Sequence, residues 1–72
     1  DQRLAGALLG QAREDGVVRA THEELGSAVG VSRVTVSRVL ARFSQNGWIR
    51  TGYGAVTVMD KIALERFSQD GV

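Results

Sequence analysis

Residues 31–47, VSRVTVSRVLARFSQNG, decide how this chain folds. Val36, Val39, Leu40 and Phe43 recur at i, i+3, i+4 and i+7, which places four apolar side chains on one stripe of a helix. Arg33, Val34, Ser37, Arg38 and Ala41 occupy the opposite stripe. One face can therefore anchor in a core while the other presents two arginines, a serine and small apolar groups. Ser32 precedes the first turn and suits an N-cap, accepting from an early backbone N–H. Asn46-Gly47 suits the C-terminus, where glycine readily takes the left-handed conformation. The expectation is a helix over 32–46, held from beneath by the rest of the chain.

Upstream, Thr21-His22-Glu23-Glu24 reads as a capping box, with Thr21 the cap and Glu24 reaching back to the Thr21 N–H. The helix it opens runs to about Val29, with Leu25, Ala28 and Val29 facing inward. Gly30-Val31-Ser32 then makes a tight turn into the next helix. Helix, glycine-containing turn and helix is the helix-turn-helix arrangement. Before it, Asp1 to Asp15 reads as a helix with Leu4, Ala5, Ala7, Leu8 and Ala12 on its apolar side, ended by Gly16. Gly6 and Gly10 lower its intrinsic propensity and either allow close helix approach or are simply tolerated. Val17 to Ala20 is a β-type run long enough for one edge pairing.

Downstream, Trp48 to Thr51 and Ala55 to Met59 read as two strands joined through Gly52-Tyr53-Gly54. Asp60 caps a last helix from Lys61 to about Ser68, with Leu64 and Phe67 inward. The predicted fold is mainly α with a small β wing: a winged helix-turn-helix of three core helices, a short strand plus hairpin, and a C-terminal helix, occupying residues 1–72.

The chain has 72 residues, enough for one small domain. Such a domain buries only about 60% of its extended-chain surface, so its stability margin is thin. Cysteine is absent, which excludes a disulfide framework and a thiol nucleophile and fits a reducing compartment. No apolar run approaches a membrane span, and no signal-peptide pattern opens the chain. Because the first residue is Asp, the chain reads as a piece of a longer protein. The net charge of +1 says little, but its distribution says more. All eight acidic residues lie outside Leu25–Met59, a window holding Arg33, Arg38, Arg42 and Arg50. A surface of one sign suits a polyanion, either nucleic acid or an acidic protein. One histidine and no paired carboxylates in a plausible cleft give enzyme chemistry no support, and no metal-ligand spacing occurs.

The run Thr21-x-x-Glu24-Leu25-Gly26, then Gly30-Val31-Ser32-Arg33-x-Thr35-Val36-Ser37-Arg38-Val39-Leu40, followed by Gly47-Trp48-Ile49 and a short wing ending in Asp60, resembles the DNA-binding domain of the Crp/Fnr regulators. The likeness covers nearly the whole chain. It implies double-stranded DNA as partner, with the outward side of the second helix in the major groove. Arg33 and Arg38 match base-reading arginines, Ser37 a small position between them, and Ser32 and Thr35 phosphate contacts. Val34 departs from the family pattern, since many members carry glutamate there. Glutamate accepts from cytosine N4; valine can only meet or exclude a methyl. The operator of glutamate-bearing members is therefore not expected here.

Thr21, His22, Arg42, Arg50 and Tyr53 complete the phosphate candidates. Arg42 equally suits a local ion pair, His22 an ordinary helix start, and Tyr53 a solvent-facing wing tip; Trp48 suits packing at the base of the wing. The resemblance further implies a homodimer formed through a region absent here, RNA polymerase as a further partner, and a cytoplasmic, nucleoid location. It implies no cofactor in this domain and a small effector bound by a separate N-terminal domain. The competing reading is a winged helix that meets an acidic protein.

Overall fold

The structure is a computed structural model and describes residues 1–71. Its elements run α1 (Gln2–Gln11), β1 (Val17–Val18), α2 (His22–Val29), α3 (Arg33–Gln45), β2 (Ile49–Gly52), β3 (Ala55–Val58) and α4 (Lys61–Asp70). This is the winged helix-turn-helix expected from the sequence, four helices and a three-stranded antiparallel sheet ordered β1-β3-β2.

One apolar cluster carries the fold. Leu4, Ala5 and Leu8 of α1, Leu25 of α2, Val36, Val39, Leu40 and Phe43 of α3, and Leu64 of α4 are all buried in it. Val18, Ile49 and Val56 close it from the sheet side. The stripe at 36, 39, 40 and 43 is thus the underside of α3. Phe43, Trp48 and Phe67 form a second, aromatic layer with ring centroids 5.4–5.6 Å apart, joining the end of α3 and the start of the wing to α4. Tilted and edge-on pairs at this spacing add to plain burial.

The caps fall where the sequence placed them. Thr21 accepts from the Glu24 N–H at 3.0 Å, and Glu24 Oε1 accepts from the Thr21 N–H at 2.8 Å. Ser32 Oγ accepts from the Thr35 N–H at 3.2 Å, and Asp60 Oδ1 from the Ala63 N–H at 3.1 Å. Between α2 and α3, Gly30 takes the left-handed conformation at φ 77°. The turn then passes so close to α2 that a Cβ on Gly26 would lie 2.5 Å from the Val31 carbonyl oxygen. The Val31 N–H donates to the Gly26 carbonyl at 2.9 Å, fixing that approach.

Some boundaries differ from expectation. Helix α1 stops at Gln11 rather than Asp15, because Ala12 turns to extended backbone at ψ 133°. Residues 13–16 form a turn instead, with the Gly16 N–H donating to the Arg13 carbonyl and Asp15 Oδ1 accepting from the Val17 N–H. An aspartate bonding to backbone two residues on competes with helix. Strand β1 keeps only Val17 and Val18, paired with Thr57 and Val56. Ala28 is exposed, not inward. Gly52 belongs to β2, opposite Ala55, so only Tyr53-Gly54 forms the hairpin turn. Helix α4 continues to Asp70.

Candidate nucleic-acid interface

The interface is built on the face of α3 that the core does not use. Anchoring Val36, Val39 and Leu40 beneath leaves Arg33, Val34, Ser37, Arg38 and Ala41 exposed, Val34 at 64%. No acidic residue occupies the first turn of α3. Ser32 is exposed and Thr35 half-buried, with their hydroxyls 3.1 Å apart at the N-terminus of this helix. Helix N-termini of this kind favour anions.

An open cleft of about 540 Å³ lies beside α3. Thr21 and His22 of α2's start, Arg33, Val34 and Ser37 of α3, and Gly52 and Gly54 of the hairpin line it. Three segments far apart in sequence thus converge on one concavity. α3, the N-terminus of α2 and the wing each contribute to its lining. Glu23 also lines it, as its one acidic side chain.

The remaining candidates sit outside the cleft. Arg38 is exposed on α3, four residues beyond Val34 and on the same stripe. Tyr53 is fully exposed at the wing tip, between the two cleft-lining glycines. Arg50 is exposed on β2, across from Thr57. Arg42 forms an ion pair with Asp1, its Nη1 3.3 Å from Oδ2, which realises the local-pairing alternative. That pair is largely solvated, and such pairs contribute at most about 1 kcal/mol, so Arg42 is not locked in place.

One contact was not expected from the sequence. His22 Nδ1 lies 2.8 Å from Ser37 Oγ, joining α2 to the outward face of α3. The two residues are fifteen apart in the chain and share no local pattern. Only the packing angle of the two helices brings them together.

A winged helix-turn-helix with an exposed, carboxylate-free arginine stripe is the architecture of a DNA-binding domain. Comparison with known proteins agrees. The sequence model of the Crp-like helix-turn-helix domain matches residues 2–67. The transcriptional regulator SdrP of Thermus thermophilus is 37% identical over 75 residues, covering 93% of this chain and 37% of that protein. A CRP-like cAMP-activated global transcriptional regulator of Mycobacterium tuberculosis is 41% identical over 58 residues, 75% of this chain and 26% of that protein. Among solved structures, a CRP/FNR-family transcriptional regulator from Thermus thermophilus superposes with a TM-score of 0.89 at 36% identity, over 96% of this chain and 40% of that one. The chain belongs to the Crp-like helix-turn-helix domain family. It spans between 26% and 40% of the length of these three proteins. No helix among the described residues is long and apolar enough to cross a membrane.

Proposed function

We propose that α3 enters the major groove of duplex DNA and that the two sides of the adjoining cleft grip one strand's backbone. Arg33 and Arg38 read guanine O6 and N7, which accept two parallel guanidinium bonds worth about 1–3 kcal/mol of discrimination each. Val34 contacts a thymine methyl, and Ser37 approaches a base edge between the arginines. Ser32, Thr35, Thr21, His22 and Arg50 meet phosphates, with Tyr53 against the backbone at the wing tip. Arg42 joins them by leaving Asp1. The observation that carries this reading is the exposed stripe 33, 34, 37 and 38 on a helix whose opposite face is wholly buried.

In the whole regulator, two such domains act on a two-fold operator with half-sites about one helical turn apart. The dimer contacts and the effector site belong to regions of the regulator outside this chain, and RNA polymerase is a further partner. A cAMP-activated relative supports a small-molecule effector of that kind. A cytoplasmic, nucleoid location follows from that role.

Selection of bound sites from random duplexes with the full-length protein tests the reading. One sequence should emerge, and Arg33→Ala should weaken it by about 1–3 kcal/mol while relaxing preference at one base pair. Equal loss on selected and random DNA would refute base reading by Arg33.

A further inference from the structure

An exposed helical serine is an indiscriminate reader. Its hydroxyl rotates, donates or accepts, and often turns back onto the carbonyl four residues earlier. Serine accordingly pairs with donor and acceptor base edges alike. Ser37 is not free in this way. Its Oγ is held 2.8 Å from Nδ1 of His22, which stands on the first turn of α2 and is itself half-buried. Either the hydroxyl proton or one of its lone pairs is therefore already committed.

We propose that His22 is a positioning residue that sets the hydrogen-bond sense of Ser37, so that position 37 selects a base with an exocyclic amino group, adenine or cytosine. The inference rests on the placement of α3 in the major groove. His22 lines the cleft that the DNA backbone occupies in that placement. The ring nitrogen turned towards a phosphate must carry a proton, since a lone pair facing an anion is repelled. With Nδ1 bonded to Ser37, the nitrogen left to meet a phosphate is Nε2. A neutral imidazole protonated on Nε2 has only a lone pair at Nδ1. Nδ1 then accepts the Ser37 O–H, and Oγ shows only lone pairs to the groove. In the major groove, adenine N6 and cytosine N4 are the donors that such an acceptor matches.

Protonating the imidazole reverses the bond. Nδ1–H donates to Oγ, the serine proton is released outward, and the position becomes indiscriminate again. The charged groups that line the cleft together with His22 are Glu23 from its own helix and Arg33 from α3; the hairpin contributes Gly52, Gly54 and Ala55, none of which titrates.

The test begins with Ser37→Ala in the full-length protein, which identifies the base pair whose preference depends on position 37. Binding is then measured on four duplexes differing only at that pair, at about pH 8 and about pH 5.5. The wild-type protein should favour the amino-bearing base by about three- to tenfold at the higher pH, the share of one neutral hydrogen bond. That preference should flatten at the lower pH even as affinity for all four rises. His22→Ala should flatten it at both pH values. A wild-type preference independent of pH overturns the inference, whether or not the variant folds. So does His22→Ala weakening all four duplexes equally with preference intact. In both cases base reading by Ser37 stands. If Ser37→Ala alters preference at no pair, that base-reading assignment fails and the inference falls with it.

Discussion

Replacing Gly26 by alanine is expected to destabilise the domain, although alanine is the better helix former. The added Cβ would lie 2.5 Å from the Val31 carbonyl oxygen and 3.4 Å from Val36 Cγ2. The first neighbour is backbone and cannot rotate away, so the turn between α2 and α3 must shift. Overpacking costs about 1–3 kcal/mol, and a rigid backbone neighbour puts this site at the upper end. Straining the Val31 N–H bond to the Gly26 carbonyl adds about 1 kcal/mol. The gain in helix propensity offsets about 1 kcal/mol. The net loss is about 2–3 kcal/mol. At about 4–8 °C per kcal/mol for a domain of this size, the Tm should fall by roughly 10–20 °C. Gly6 provides the control. It lies mid-helix in α1, and a Cβ there meets nothing within 4 Å. Gly6→Ala should therefore stabilise by about 0.5–1 kcal/mol and raise Tm by a few degrees. Thermal unfolding followed by far-UV circular dichroism reads both. A Gly26→Ala domain as stable as the parent would refute the close-approach argument, and equal loss at Gly6 would refute the comparison.

Three further outcomes are expected. Val34→Glu should shift selected sites towards cytosine at the facing position, because glutamate accepts from cytosine N4; an unchanged profile would mean that residue 34 does not face a base. Arg42→Ala should weaken selected and random duplexes about equally in a binding titration and lower the salt dependence, as loss of a phosphate contact does, whereas altered preference at one pair would place it on a base. The Val17 N–H bond, with help from Arg19, holds the Asp15 carboxyl below its ordinary value of 3.8. Its folded form is thus favoured above that value and loses the advantage as pH falls through the lowered one. Asp15→Asn should lower Tm at neutral pH, and the gap to the parent should close in strongly acidic solution.

Much of this domain could be read from local chemistry. Ser32, Thr21 and Asp60 act through backbone N–H groups three residues on, so their effects are visible within a single turn of sequence. The apolar spacing at 36, 39, 40 and 43 fixed which face of α3 could be free. The early end of α1 was harder to foresee, because Ala12 and Arg13 suit a helix and only the Asp15-Gly16 turn draws them out of it. Ala28 misled because a small residue fits either side of a helix. Gly26 could be placed in a motif but not explained, since its reason is a carbonyl from the following turn. The bond from His22 to Ser37 had no sequence signature, being set by how two helices cross.

The two-residue strand β1 has a mechanical consequence. It stitches the hairpin base to the chain through Val17↔Thr57 and Val18↔Val56, and only Arg19, Ala20 and the cap Thr21 separate it from α2. Wing and helical pair are therefore tied to one another, like the arms of a calliper joined at one end. The less such a tie yields, the more a duplex of another groove width would have to deform to fit between the two arms. The ease with which a sequence bends or narrows then becomes part of what is chosen, even at pairs no side chain touches.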